Sequence, residues 1–269
     1  MPAALLLVDV QYDFLPPSGA LAVQGGDEIL PVVCRLVDEG DWALVVASQD
    51  FHPPAHISFH TTHSLPAFSS TTVRDPRTGK SKEQELWPVH CVQGTRGCEV
   101  EEGVRARMER RRRAGARCEV VTKGADVDLD AYSAFAAPLA HEPTSAPSPL
   151  TQLLLDAKVD TLVVAGLATD FCVRHSVLDA LALPWASPSP SSASSSPRSA
   201  GQAPPIETKP DPDPEPTRRV LVVRSAVRGV DPAASAAALR ELEHAGAVVV
   251  EGVEAALRAA GAGAQTRGA

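Results

Sequence analysis

Short apolar runs alternate along the chain with longer segments in which apolar residues recur every three or four positions. The short runs are rich in valine, leucine and alanine, a pattern typical of strands that are buried on both faces. They lie at Ala3–Val10, Trp42–Ser48, Cys118–Thr122, Thr161–Ala165, Val220–Val223 and Ala247–Val250. The segments between and after them predict helices at Gly26–Glu39, Glu99–Ala114, Pro149–Ala157, Asp170–Leu181, Pro232–Ala245 and Val253–Ala260.

This alternation predicts an α/β protein, a three-layer αβα fold around a mainly parallel six-stranded sheet of Rossmann-like topology. In such sheets, ligands bind beyond the carboxyl ends of the strands, where the strand order reverses. The polar residues that follow each predicted strand are therefore the first candidates for chemistry.

Two segments break the pattern. Residues 50–97 are rich in His, Pro, Ser and Thr, which indicates either a functional loop or a disordered one. Residues 184–216 hold ten of the 24 prolines around a serine-rich centre, a composition that cannot bury enough apolar surface to order itself. We therefore expect a single domain, residues 1–269, interrupted by a disordered insertion without catalytic role at about 184–217.

Charge and cysteine content narrow the class of protein. The formal net charge of −8 disfavours nucleic-acid binding, and the arginine-rich stretch 105–117 is typical of a solvated helix face. No apolar run approaches the ~20 residues of a membrane span, so no membrane interaction is expected. The five cysteines form no close pair, which favours a reducing compartment. A cytoplasmic location is expected, with nuclear or peroxisomal locations also compatible.

A cysteine follows one buried strand at a predicted helix start. Gly166 permits a turn, Thr169 or Asp170 can cap the helix, and Cys172 lies in its first turn, where backbone dipoles favour a thiolate. Lowering a thiol pKa from about 8.5 to about 7 takes about 2 kcal/mol, the upper end of what a helix terminus supplies. A catalytic Cys172 therefore needs a nearby cation or base. The alternative is a small, buried, apolar cysteine.

Two other strands end in charged residues. Asp9 lies within an apolar run, where a buried charge is costly without a partner, and Lys123 stands where a core residue would be expected. Both occupy positions equivalent to that of Cys172, so the three side chains converge if their strands are neighbours. Lys123 would then be the cation that the thiol requires, whereas Asp9 alone would be a capping or salt-bridged aspartate.

Carboxylate and imidazole groups follow the second strand. Asp50 and His52 form an Asp-x-His pair, and His90 in the long polar segment offers a third ligand, with His56 as a fourth candidate. Such groups suit a divalent metal, whose identity among zinc, iron and manganese depends on geometry. The alternative is a set of polar loop residues without metal.

Together these motifs resemble the nicotinamidases, which belong to the isochorismatase-like cysteine hydrolases. The matching segments appear in family order, and the resemblance spans residues 1 to about 183 and 218 to 260. They are residues 8–14, 50–53, 87–91, 122–124 and 166–173.

The resemblance implies an isochorismatase-like fold and an amidohydrolase that converts nicotinamide and water to nicotinic acid and ammonia through a cysteine thioester, in NAD salvage. Activity on pyrazinamide is implied as well. Cys172 would be the nucleophile, Asp9 the general base and Lys123 the cation that holds both. The backbone amides of Ala168 and Cys172 would form the oxyanion hole, beside a cis peptide between Leu167 and Ala168.

The resemblance also implies a substrate pocket and a metal. Phe14, Trp87 and Tyr132 would line the pyridine pocket. One divalent ion, Zn²⁺ in preference to Fe²⁺ or Mn²⁺, would contact the ring nitrogen directly or through water. The expected partner is the small molecule nicotinamide, and a homo-oligomer is compatible with the sequence.

Two alternatives stay open. One is another hydrolase of the same superfamily, acting on a different small amide, a carbamoyl group or a vinyl ether. The other is a catalytically silent scaffold of the same fold, whose proline-rich segment would bind a partner as a polyproline II ligand.

Overall fold

The computed structural model describes residues 2–136, 147–183, 185 and 218–262. Six strands form a parallel sheet in the order β5-β2-β1-β6-β7-β8, and β3 and β4 form an antiparallel hairpin. The strands are β1 (Ala3–Val8), β2 (Leu44–Asp50), β3 (Ser69–Arg74), β4 (Ser81–Leu86), β5 (Cys118–Lys123), β6 (Thr161–Leu167), β7 (Arg219–Arg228) and β8 (Val248–Val250). The predicted α/β class and the six predicted sheet strands are confirmed.

Helices cover both faces of the sheet. They are α1 (Leu30–Glu39), α2 (His60–His63), α3 (Glu102–Arg113), α4 (Pro149–Asp156), α5 (Arg174–Ala182), α6 (Pro232–His244) and α7 (Val253–Ala260). Helices α1, α3 and α7 contribute to the apolar cluster on one face, and α4, α5 and α6 to the cluster on the other. Within the described ranges, no helix is long and apolar enough to cross a membrane.

The central strand β1 shows why the sheet needs a helical layer on each face. All six of its residues are buried, and alternate side chains enter opposite clusters because a strand has a period of two. The first cluster receives Ala3, Leu5 and Leu7, and the second receives Ala4, Leu6 and Val8. The continuous apolar run thus reflects a strand between two helical layers.

Some predicted bounds are wrong for local reasons. Strand β1 stops at Val8 because Asp9 adopts a left-handed backbone with φ 49°, which no strand can continue. Helix α3 begins at Glu102, three residues later than predicted, because the Glu101 carboxylate accepts a hydrogen bond from Val104 N at 2.9 Å and caps it.

The long polar segment 50–97 is folded. It contains α2 and the β3–β4 hairpin, which the sequence pattern does not predict because most of the hairpin side chains are exposed and polar. The few buried positions of the hairpin include Val73, Gln84 and Leu86. The hairpin is followed directly by Trp87 and leads the chain back to the sheet, where His52 N donates to Cys91 O at 3.0 Å.

The predicted insertion at about 184–217 lies outside the described residues, apart from Trp185. The Trp185 side chain is buried, and its Nε1 donates to Ala180 O. On the far side of the insertion, Arg218 Nη1 donates to Leu183 O. The two ends of the insertion therefore meet at the carboxyl end of α5.

Candidate active site

The charged residues gather at the carboxyl edge of the sheet. Asp9 directly follows β1, Asp50 ends β2, Lys123 ends β5, and Cys172 lies in the turn after β6. Strand β1 lies between β2 and β6, whereas β5 is separated from it by β2. The predicted convergence is confirmed, although Lys123 has to reach across the end of β2 to take part in it.

Lys123 is the centre of the cluster. Its side chain is 1% exposed, and its Nζ lies 3.0 Å from Asp9 Oδ2 and 2.5 Å from Asp50 Oδ1. The same nitrogen lies 3.4 Å from Cys172 Sγ and donates to Ala131 O at 3.2 Å. Burial lowers the pKa of Lys123, but the two carboxylates outweigh burial and hold that pKa well above its ordinary value. The ammonium group therefore stays charged.

Asp9 is fully buried and oriented by a hydroxyl. Ser48 Oγ donates to Asp9 Oδ1 at 2.6 Å and accepts from Asp9 N at 3.2 Å, which leaves Oδ2 facing Lys123. Burial raises the pKa of Asp9, the Lys123 charge opposes that rise, and Asp50 adds to it. The sequence analysis did not identify Ser48. A hydroxyl in an otherwise apolar part of β2 is the feature that could have indicated it.

The turn that carries Cys172 is built on close backbone packing. Gly166 has φ 125°, and a Cβ there would lie 2.0 Å from Val8 O on the neighbouring strand, so only glycine fits. The peptide between Leu167 and Ala168 is cis, as predicted. A π-helical turn, Thr169–Val173, then places Cys172 two residues before α5.

The predicted capping of this turn is wrong. Ala168 is the residue at the N-cap, and neither Thr169 nor Asp170 makes a side-chain capping bond there. The Asp170 carboxylate instead accepts from Val230 N at 3.0 Å and from Asp231 N at 2.9 Å. It ties the nucleophile turn to the segment before α6, a contact between residues about 60 positions apart that local pattern could not reveal.

The surroundings of Cys172 act on the pKa of its thiol in opposite directions. Burial raises its pKa well above the ordinary value, the Lys123 charge opposes this, and Asp9 and Asp50 raise it further. Lys123 therefore acts on the thiol in the direction that the sequence predicts, whereas burial and the two carboxylates act against it. A base has to take the proton, and the ligand atoms of Cys172, Asp9 and Asp50 lie within 4.8 Å of one another.

A pocket opens above the Cys172 thiol. The predicted aromatic residues Phe14, Trp87 and Tyr132 line it, as do Ala168 and Cys172, the residues predicted to form the oxyanion hole. Aromatic walls on several sides suit a flat ring.

Further residues that the sequence reasoning missed complete the walls. Phe171 packs edge-on against Trp87 with ring centroids 4.9 Å apart, and Trp87 Nε1 donates to Tyr132 Oη at 3.1 Å. Asp130 also lines the pocket. Phe171 could have been identified because it directly precedes Cys172. Nothing in the local pattern distinguishes Asp130 from the neighbouring acidic residues.

The three predicted metal ligands come together. Asp50 Oδ2 lies 3.6 Å from His52 Nε2 and 4.0 Å from His90 Nε2, and all three residues are buried. His52 Nδ1 bonds Gly124 O at 2.8 Å, and His90 Nδ1 bonds Pro88 O at 2.7 Å. A carbonyl acceptor fixes the proton on Nδ1, so both Nε2 lone pairs face the carboxylate. This donor set fits a divalent metal.

His56 lies beside this cluster but outside it. Its ring stacks on His52 at 4.0 Å, its Nδ1 is 2.7 Å from Ser58 Oγ, and its Nε2 faces Leu129 O at 3.4 Å. Burial and the neighbouring His52 lower the pKa of His56 to about 4. Both ring nitrogens therefore have protein partners, and His56 is not brought together with the other three donors.

Comparisons with known proteins now give the family. Residues 3–202 match the isochorismatase domain model. The chain belongs to the isochorismatase family. The nicotinamidase of Escherichia coli is 39% identical over 184 residues, which cover 68% of this chain and 78% of that protein.

Solved structures of this family agree with the fold. The yeast nicotinamidase bound to the inhibitor nicotinaldehyde has a TM-score of 0.72 over 93% of this chain and 99% of that chain, and at 24% identity this likeness concerns the fold alone. The pyrazinamidase of Pyrococcus horikoshii in complex with zinc is 27% identical, with a TM-score of 0.58 over 93% of this chain and 99% of that chain.

Proposed function

We propose that this isochorismatase family member is a nicotinamidase, which hydrolyses nicotinamide to nicotinic acid and ammonia and serves NAD salvage. The observation that carries the proposal is the buried arrangement of Asp9, Lys123 and Cys172 beneath an aromatic pocket. The donor cluster at the same pocket favours a substrate with a ring nitrogen. The 39% identity to the Escherichia coli nicotinamidase supports the same reaction.

In the first half of the reaction, Asp9 takes the proton of the Cys172 thiol, and the sulfur attacks the carboxamide carbon. The Ala168 and Cys172 backbone amides hold the oxyanion. The carbon–nitrogen bond then breaks as Asp9 returns the proton to the leaving nitrogen, which departs as ammonia and leaves a thioester on Cys172. Lys123 stays charged throughout and holds Asp9 beside the sulfur.

In the second half, Asp9 takes a proton from the water that attacks the thioester carbon. The tetrahedral adduct collapses, the carbon–sulfur bond breaks, and Asp9 returns the proton to the sulfur. Nicotinic acid is released and the thiol of Cys172 is regenerated. The raised pKa of Asp9 suits a group that has to carry a proton between two partners in each half.

Asp50, His52 and His90 would hold the metal, and we propose Zn²⁺ because one carboxylate and two imidazoles form a common zinc donor set. When bound, the ion supplies a Lewis-acid contact that orients the ring nitrogen of the substrate. The aromatic side chains of Phe14, Trp87 and Tyr132 would contact the flat ring of the substrate. Pyrazinamide has a ring of the same shape, so it should be accepted as well.

The direct test is ammonia release by the purified, metal-loaded protein. We expect turnover of nicotinamide and pyrazinamide, and at least about tenfold lower kcat/KM for benzamide, whose ring has the same shape but no nitrogen for the ion to orient. Release of ammonia from unrelated amides or carbamoyl compounds, or of a carbonyl product from vinyl ethers, without ammonia from nicotinamide would identify another hydrolase of the family. No release from any of them would identify a silent scaffold.

Metal binding provides a separate prediction. His90→Ala should weaken metal affinity by at least about 100-fold, because loss of a direct ligand costs no less than loss of an outer partner. His56→Ala is the matched control, and it should retain stoichiometric metal because His56 lies outside the donor cluster. Elemental analysis of both purified variants measures the difference, and metal loss in His56→Ala would make that residue a ligand.

We also propose one domain interrupted by an insertion that the reaction does not need. The Arg218–Leu183 contact supports this, because it places the two described ends of the insertion together. Replacing residues 186–217 with a short glycine–serine linker, with Trp185 retained, should leave kcat/KM within about threefold, since loop closure depends weakly on length. Loss of activity in a variant with an unchanged melting temperature would assign the insertion a role at the site.

A further inference from the structure

We propose that Gln84 and Asp130 form a positioning pair, through which the β3–β4 hairpin holds the loop that contacts Lys123 and walls the substrate pocket. The inference rests on the proposed amidase function, and it assigns a role to the hairpin.

Gln84 is an unusual residue for its strand. Glu83 and Glu85 on either side of it are exposed, yet Gln84 is 4% exposed. Its Nε2 donates to Asp130 Oδ2 at 2.8 Å and to Glu85 O at 2.9 Å, so both amide hydrogens are used. A buried amide that bonds an acidic residue 46 positions away is a specific link between two segments.

Asp130 connects Gln84 to the catalytic cluster. Its second oxygen, Oδ1, accepts from Ala131 N at 2.9 Å, which fixes the backbone of the loop at this point. The carbonyl of the same residue, Ala131 O, accepts from Lys123 Nζ at 3.2 Å. Three hydrogen bonds and the backbone of Ala131 therefore connect Gln84 to the ammonium group that lies beside Asp9 and Cys172.

The next residue along the loop connects the hairpin to the pocket. Tyr132 Oη accepts from Trp87 Nε1 at 3.1 Å and donates to Glu85 Oε2 at 3.4 Å, while its ring lines the pocket. A displaced loop would therefore move both the carbonyl that accepts from Lys123, Ala131 O, and the Tyr132 ring that lines the substrate pocket. Both kcat and KM should respond, because displacements near 1 Å can cost about 100-fold in rate.

The test exchanges the two partners. Gln84→Glu places a second carboxylate against Asp130, and we expect kcat/KM for nicotinamide to fall by about 10- to 100-fold, the cost of an unpaired, repelled buried charge. Asp130→Asn lowers activity by itself, because Asp130 also lines the pocket. In the double variant the amide and the carboxylate have changed places, so adding Gln84→Glu to Asp130→Asn should cost several-fold less than in the wild type, although the bond to Glu85 O is lost in both backgrounds.

Ser81→Glu is the matched control, since it adds the same charge to an exposed position of the same strand. It should leave kcat and KM unchanged, and melting temperatures of all variants separate misfolding from mispositioning. An equal loss from Gln84→Glu in the wild-type and Asp130→Asn backgrounds would overturn the pair, as would no loss in either.

A second readout does not depend on the substrate. Alkylation of Cys172 by iodoacetamide, followed by mass spectrometry, should slow in Gln84→Glu, because a shifted Lys123 no longer opposes the rise in the thiol pKa. The rate should return towards that of Asp130→Asn in the double variant. If the wild type fails to hydrolyse nicotinamide, the proposed function is wrong, and the alkylation rates still decide whether the pair exists.

Discussion

Replacing Cys172 by alanine should lower ammonia release from nicotinamide by at least about 10,000-fold, because the reaction then has no atom to form the thioester. The fold should survive, since the Sγ atom contributes one contact to Lys123, which keeps its ion pairs with Asp9 and Asp50. The measurement is steady-state ammonia release, together with the melting temperature of the variant.

A cysteine elsewhere in the chain provides the control. Cys34 is half-buried on α1, in the helical layer on the opposite face of the sheet from the Cys172 side chain, so Cys34→Ala should retain full activity. Rapid quenching of the wild-type enzyme should trap an acylated peptide containing Cys172. Activity of Cys172→Ala within about tenfold of the wild type would contradict the nucleophile assignment.

Replacing Lys123 by methionine should reduce the free energy of unfolding of the metal-free protein by about 3–5 kcal/mol, because Asp9 and Asp50 remain buried without their cation. Urea unfolding at neutral pH measures the loss. The deficit should shrink as the pH falls: without Lys123, nothing opposes the Asp50 charge and the burial that raise the pKa of Asp9, so the folded variant binds this proton more readily than the folded wild type. Amidase activity should be lost at every pH.

The double variant Lys123→Met/Asp9→Asn separates charge balance from catalysis. Removing one of the two carboxylates should recover part of the lost stability, whereas activity stays absent because the proposed base is gone as well. A Lys123→Met protein as stable as the wild type would show that the buried charges are balanced by groups other than Lys123.

Much of the candidate site could be predicted because a buried charge interrupts an apolar pattern. Asp9 and Lys123 are conspicuous in otherwise apolar strands, and parallel strands bring their ends to one edge. The metal donors were visible because Asp50 and His52 lie two positions apart, and His90 completed them. These signals are local, so the sequence alone carries them.

The contacts that orient the charged groups of the site could not be predicted from the local sequence pattern. Ser48 meets Asp9 only because β1 and β2 are neighbours, and Gln84 meets Asp130 only because the β3–β4 hairpin packs against the loop that carries Asp130. The residue type of each is visible in the sequence, but its partner is not. Their role comes from burial beside a charge, which depends on tertiary packing.

By itself the sequence determined the layered α/β fold, the segments that supply each functional group and the chemistry those groups can perform, because side-chain period and residue type are local properties. Only the tertiary structure decided that Lys123 reaches across β2 to two carboxylates and the thiol, and that His56 lies outside the metal cluster. It also decided how burial, Lys123 and the two carboxylates together act on the pKa of Cys172, because that balance exists only in the folded chain.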